Sequence, residues 1–407
     1  MKYENRIYKT LTIPANCSTE NLNYLYECNR ESARIWNDCV KISKNLWETQ
    51  EKRPDQNYFQ QIFKMGYSDI LSVKSMQLIS KKYLSNVNGI IKARKAGRID
   101  CRYPYKEKRM YNTLYDYMNF QIDYNKSIIK LARPKIKNKQ GKIVNQKPII
   151  IYVKTIPQNV IIIEIKYDNG LKLCLNYYEE NKQEKNNIQK QNFCAVDMGE
   201  IHSIVSIDNN GNNVIITARE IRSVQRFRNK ELAKLNRKLR KCKKGSRNYK
   251  RYRKAIVKLC SKANAKMNYL LHKTSKLFIN HVKENNIKEV IIGDLTNFNR
   301  NQKNTKNRKG AKQKLIQWPH GKLKQKLQYK LERENIGVIE ISESYTSQTC
   351  PACGHRHKPK GRNYVCKCGY KNHRDIVGAI NILSKYINGE IKSMNLPHKP
   401  IKYLRIA

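Results

Sequence analysis

The sequence predicts an α+β protein of several domains, and three observations carry that expectation. A helical stretch is followed by a run of strands, a second strand-rich stretch then encloses a long basic helical segment, and four cysteines cluster late in the chain. At 407 residues there is enough apolar sequence for more than one core.

Residues 18 to 101 form the helical part. Apolar residues such as Leu22, Leu25, Trp36, Val40, Met76, Ile79 and Leu84 recur there at mixed spacings of three and four. Residues 1–17 and 102–190 read as one β-module interrupted by that helical insert. Its strands include Ser127 to Leu131, Pro148 to Val153 and Val160 to Ile165, separated by Asn, Gly and Pro turns. Glu179 to Gln191 is a polar linker by composition. Beyond it, Phe193 to Asp197, Ser203 to Ile207 and Val214 to Thr217 predict a three-stranded meander.

Residues 220–276 predict a pair of basic helices that turn near Lys244 to Arg247, with Leu232, Leu235, Leu239, Ile256 and Leu259 among their apolar stripe. Further strands are expected at Glu289 to Gly293 and Gly337 to Glu343, with a helix from Gly321 to Glu334 between them. Another helix is expected from Arg374 to Leu383. Residues 391–407 read as a polar tail.

Lys and Arg number 83 against 32 acidic residues, a formal charge of +51. Self-repulsion on that scale points to a polyanionic partner, and nucleic acid is the natural one. The basic helices offer Arg237, Lys238, Arg240, Lys241, Arg247, Lys250, Arg251 and Arg253 for sequence-independent phosphate contact. Neither a lipidation signal nor an apolar run of membrane-spanning length is present, which argues against a membrane-surface role. The polar N-terminus predicts a protein without a targeting peptide, cytoplasmic and nucleoid-associated. Eight of the twelve cysteines are scattered without ligand spacing and read as reduced thiols.

The other four, Cys350, Cys353, Cys366 and Cys368 (349–369), have the spacing of a zinc ribbon. Each pair is followed by a glycine that permits the sharp turn of a metal knuckle. The second pair has a one-residue spacer, so His355, His357 or His373 could compete for a position. A closed four-ligand site would be structural. Among the carboxylates, Asp197 ends an apolar strand and could hold a divalent ion or cap a turn, and Asp375 at a helix start could do likewise or serve as an N-cap.

Five features in this order resemble the TnpB proteins: Ala195-Val-Asp197-Met-Gly199; the basic helical pair; Trp318-Pro319 with its following helix; Tyr345-Thr-Ser-Gln-Thr-Cys350-Pro-Ala-Cys353-Gly; and His373-Arg-Asp375-Ile-Val-Gly-Ala-Ile-Asn381. TnpB proteins are transposon-encoded, RNA-guided DNA nucleases related to type V CRISPR effectors. The resemblance implies a barrel-like wedge module (1–17 and 102–190) and a helical recognition insert (18–101). It also implies an RNase-H-like, RuvC-type nuclease (191–348 and 370–390) carrying the ribbon.

It further implies Mg²⁺-dependent DNA cleavage by an Asp-Glu-Asp triad, with guide RNA and target DNA as partners. Asp197 takes the place of the first acid and Asp375 that of the third. The second departs from the pattern, because Gly293 stands where the common pattern has Glu. Adjacent strand residues face opposite ways, so Asp294 is a poor replacement. Glu343, at the end of the next strand, is the better one, with Glu340 a weaker rival. Gly293 would leave the room that Glu343 needs.

The alternative function is a guide-dependent DNA-binding protein with a decayed nuclease, acting as a repressor or accessory factor. Tyr3, Asn37 and Tyr115 are candidates for reading bases, and the loop from Asn301 to Lys314 is a candidate lid.

Overall fold

The computed structural model describes residues 6–137, 141–180, 192–294, 313, 316–359, 361–394, 396–397 and 399–406. The chain divides into two compact units, Met1–Lys182 and Gln183–Ala407. The expected lid, apart from Gln313, lies outside the described residues, as do Tyr3 and most of the expected linker.

In the first unit, β1 (Arg6–Pro14) precedes three helices, α1 (Thr19–Glu48), α2 (Gln56–Ile62) and α3 (Val73–Lys95). Each helix begins where a short polar side chain takes up an otherwise orphaned backbone N–H. Ser18 accepts from Asn21, Asp55 from Tyr58 and Ser72 from Ser75. The helices close over Trp36, Phe59, Phe63, Met76, Ile79 and Tyr83.

Strands β2 (Thr113–Asp116), β3 (Phe120–Asp123), β4 (Ile128–Leu131), β5 (Ile136–Lys137), β6 (Ile143–Val144), β7 (Ile149–Tyr152), β8 (Val160–Tyr167) and β9 (Leu171–Glu180) follow. One sheet runs β1-β9-β8-β2 and another β3-β4-β7. Alternate residues of both, among them Ile129, Ile151, Ile163 and Leu173, enter one core. Between β8 and β9, Asn169 and Gly170 both take positive φ (52° and 126°), which suits a tight hairpin.

Two of the proposed base readers are structural. Asn37 exchanges hydrogen bonds with the Lys108 backbone at 2.9 Å in each direction, and Tyr115 is 2% exposed. Neither presents a free polar edge.

The second unit is built on β10 (Asn192–Asp197), β11 (His202–Asp208), β12 (Asn213–Thr217), β13 (Ile287–Asp294), β14 (Gly337–Ser342), a small hairpin of β15 (Asn363–Val365) and β16 (Lys371–His373), and β17 (Lys402–Arg405). Its helices are α4 (Arg219–Arg240), α5 (Arg247–Glu284), α6 (His320–Arg333) and α7 (Arg374–Asn388). Among the described residues its main sheet has the order β14-β13-β10-β11-β12-β17. Strands β10, β11 and β12 form an antiparallel meander, while β13 joins β10, β14 joins β13 and β17 joins β12 in parallel.

The two-residue period sends alternate side chains to opposite layers. Cys194, Val196, Val290 and Ile292 pack with Ile221, Leu270, Phe278, Trp318 and Leu327, in the layer that contains α4, α5 and α6. Ala195, Val205, Ile291 and Ile341 pack with Ile376, Ala379, Ile380 and Leu383 of α7.

The expectation for residues 391–407 needs correction. They are not merely a polar tail, because β17 extends the sheet and Ile406 is 2% exposed in the core. A four-residue strand with Lys402 and Arg405 at its ends lacks the apolar run that marks a strand by pattern. The eight scattered cysteines are free thiols, half of them buried.

Candidate active site and metal centre

Asp197, the last residue of β10, follows Ala195 onto the face covered by α7. Asp375 stands in the first turn of that helix. The helix can lie close over the sheet because residue 378 is glycine: a Cβ there would overlap Asp197 Oδ2. The N-cap is His373 rather than Asp375, with the His373 ring accepting from the Asp375 N–H at 3.3 Å. The Asp375 carboxylate is thus released from capping and instead receives Arg362 Nη1 at 2.7 Å.

The strand register separates the candidate second acids. Gly293 pairs with Ile341 and Asp294 with Ser342. Ile291, Gly293 and Ile341 share the α7 face, so Asp294 points to the other one. Glu340 also lies on that other face, where it pairs with Lys324 of α6. Glu343 follows β14, and its side chain folds back over Gly293 so closely that a Cβ at 293 would fall inside its carboxylate. Glu343 therefore fills the space that Gly293 leaves, near enough for the charge of Asp197 to act on it.

The electrostatics are those of a crowded acidic pair. Burial, then the charges of Asp197 and Asp294, push Glu343 up to about 8. Burial, then the charge of Asp375, push Asp197 up to about 7, with Arg374 and Arg362 opposing. Glu343 Oε1 is buried and has no hydrogen-bond partner. A buried carboxylate oxygen left unpaired costs about 1–3 kcal/mol or more, and a cation would remove that cost. These donors suit a hard divalent ion.

A cleft of about 450 Å³ opens beside Asp197 and Asp375, lined also by Gly199, His202, His320 and Arg362. His202 is buried against the ring of His373, and burial holds it down at about 4. Sequence reading missed His202, His373 and Arg362 as parts of this site. Neither histidine lies at a spacing that links it to the other, and Arg362 reaches Asp375 from within the ribbon.

Cys350, Cys353, Cys366 and Cys368 converge in one cluster, with Sγ–Sγ distances of 3.7 Å (Cys350–Cys368) and 3.6 Å (Cys353–Cys366). Four thiolates about 2.3 Å from one tetrahedral ion would stand about 3.8 Å apart, so the cage fits zinc. Gly354 and Gly369 take φ of +72° and +88°, and each returns a backbone bond to the first cysteine of its knuckle turn. The competing histidines are placed elsewhere: His357 meets the Tyr364 hydroxyl and His373 caps α7. The cage rests on α7, where Val377 packs with Cys350, Cys366 and Tyr364. Asn381 Nδ2 donates to the carbonyls of Thr346 and Thr349 at 2.7 Å.

Arg237, Lys238, Arg240, Lys241, Arg247, Lys250, Arg251 and Arg253 are all exposed. They line the α4–α5 hairpin, whose turn lies where the sequence placed it.

Two family models match parts of the chain. The OrfB_IS605 family, described as "Probable transposase", matches residues 176–299, and the Cas12f1-like TNB domain matches 320–382. These matches bear out the resemblance to the TnpB proteins and to type V effectors.

Among curated relatives, this chain is 28% identical over 167 residues to InsQ of Escherichia coli (strain K12), whose name gives RNA-guided DNA endonuclease activity as provisional. That match covers 38% of this chain and 41% of the relative. It is 32% identical over 75 residues to the CRISPR-associated endodeoxyribonuclease Cas12f1 of an uncultured archaeon, covering 16% of this chain and 14% of the relative. A TnpB-like protein, ORF457 of Acidianus two-tailed virus, is 29% identical over 107 residues, covering 26% of this chain and 23% of the relative. The matched stretches therefore span less than half of each relative.

Two solved structures share the fold. A Cas12f1–sgRNA–target DNA complex superposes with a TM-score of 0.61 at 14% identity, covering 90% of this chain and 83% of that one. The mini-RNA-guided endonuclease CRISPR-Cas_phi3 superposes with a TM-score of 0.53 at 12% identity, covering 97% and 94%.

Proposed function

We propose that this chain is an RNA-guided, divalent-metal-dependent DNA endonuclease associated with a transposon, with Asp197, Glu343 and Asp375 as its catalytic acids. The observation that carries this reading is Glu343 folded over Gly293 beside Asp197, its Oε1 buried and unpaired. The order of β10 to β14 in the sheet, with β11 alone antiparallel to its neighbours, supports an RNase-H-like, RuvC-type nuclease.

Mg²⁺ is the ion these oxygen donors suit, and Asp197, Glu343 and Asp375 would hold it. When bound there, it supplies an activated water and charge stabilisation for the leaving oxygen of the phosphodiester. Asp197 feels the charge of Asp375, and Glu343 feels that of Asp197, which supports a shared site. The strand ends fix Asp197 and Glu343, and α7 delivers Asp375 under the restraint of Arg362. The cleft gives a phosphodiester strand access to Asp197 and Asp375.

Zn²⁺ in the four-cysteine cage would be structural, since the cage leaves no open position. Guide RNA and target DNA are the partners. The exposed cations of α4 and α5 are suited to the phosphates of their duplex. The alternative of a decayed nuclease rested on Gly293, and it loses that support because Glu343 fills the space the glycine leaves.

The decisive test is Mg²⁺-dependent cleavage of guide-matched DNA by Glu343→Gln. Loss of at least about 100-fold in rate with retained DNA binding is expected, as for removal of a group acting on the transition state. Undiminished cleavage would refute the assignment.

A further inference from the structure

Beside the cleft stand nitrogen donors that the acid triad does not use, one of them, on His202, in its lining. His202 begins β11, His373 ends β16 and Asp375 opens α7, and one ligand atom from each lies within 4.8 Å of the others. His202 is 8% exposed, lines the cleft, and leaves its Nδ1 buried without a hydrogen-bond partner. Its ring stands edge-on to that of His373, 5.1 Å between centroids. Arg362 takes Asp375 Oδ2 and leaves the carboxylate its second oxygen.

His373 Nδ1 accepts the Asp375 N–H at 3.3 Å, a long capping bond. A neutral imidazole has one in-plane lone pair, so a cation binds His373 either at Nδ1 in place of that bond or at Nε2 with the proton moved to Nδ1, and the capping bond is given up in both cases. The cap is weak enough to yield.

We propose that His202, His373 and Asp375 form a cation site for a first-row transition ion, of the Mn²⁺, Co²⁺ or Zn²⁺ class, beside the cleft that His202 and Asp375 line. Mg²⁺ is a hard ion that favours oxygen and water, whereas imidazole suits the transition ions, so the two histidines discriminate between them. The site shares Asp375 with the catalytic reading above but does not depend on cleavage. An ion there would draw two strands and α7 together through their side chains.

The test is Mn²⁺ binding to the full-length protein with its cysteine cage loaded with zinc, read by electron paramagnetic resonance. One bound Mn²⁺ with ¹⁴N coupling, resistant to about a hundredfold excess of Mg²⁺, is the expected result. Affinity should fall about 10- to 100-fold in His202→Gln and in His373→Gln, with unfolding midpoints recorded to show that both fold. The ion should persist in the double variant Asp197→Asn, Glu343→Gln, which separates this site from the acid pair. Bound Mn²⁺ without ¹⁴N coupling, its full displacement by Mg²⁺, or its loss in the double variant would overturn the proposal.

Discussion

At the residue scale, the site turns on a pair of positions that exchange roles. Gly293 lies on β13, which pairs with the strand of Asp197, and supplies no side chain, and Glu343 arrives from beyond the next strand to fill the same volume. Replacing Gly293 by Ala should displace the Glu343 carboxylate and lower the cleavage rate at least about tenfold, while thermal unfolding moves little because a flexible side chain can swing aside. Asp294→Asn and Glu340→Gln, altering groups on the other face, should cleave within about twofold of the parent.

The acid pair also sets a pH dependence. Asp197 and Glu343 are raised above their ordinary values, to about 7 and about 8, so the metal-free folded chain holds more protons than the unfolded one from about pH 4 upward. Its stability therefore falls as pH rises through that range, and levels off above about pH 8. Asp197→Asn removes the penalty. It should raise the metal-free melting temperature at pH 8.5 and change it little at pH 4, as followed by calorimetry.

At the element scale, much of the design could be read from the sequence because local pattern and burial coincide there. The meander, the basic hairpin, both knuckle glycines and the outward face of Asp294 all follow from two-residue alternation, helical spacing or turn chemistry. β17 escaped because its stability comes from adding to an existing sheet edge rather than from its own apolar content. The His202–His373–Asp375 cluster escaped because distant segments meet only once the sheet is formed.

The ribbon's packing on α7 gives a prediction for that element. Removing zinc frees Val377 and Asn381 from their partners, so chelation should impair cleavage by misplacing Asp375, and excess Mg²⁺ should not restore it. Cleavage unaffected by verified zinc loss would contradict this.

At the scale of the whole molecule, the charge of +51 makes association with nucleic acid an electrostatic event first and a sequence-reading event second. Affinity for duplex DNA should fall steeply with salt. Each of Arg240, Arg247, Arg251 or Arg253 changed to Gln should reduce the log–log slope by about 0.9 if it meets a phosphate, without altering sequence preference. A salt-insensitive affinity would contradict a phosphate-facing role for the α4–α5 hairpin. Among the described residues no helix is long and apolar enough to cross a membrane.

The central claim is that three acids from a strand end, the segment after a neighbouring strand and a helix start form one nuclease site directed by RNA. The most direct measurement purifies the protein with its bound RNA, sequences that RNA, and follows Mg²⁺-dependent cleavage of matching DNA by the parent chain and by Glu343→Gln. The account predicts cleavage by the parent and binding without cleavage by the variant. Equal cleavage by both, or a parent that binds matched DNA and never cuts it, would contradict it.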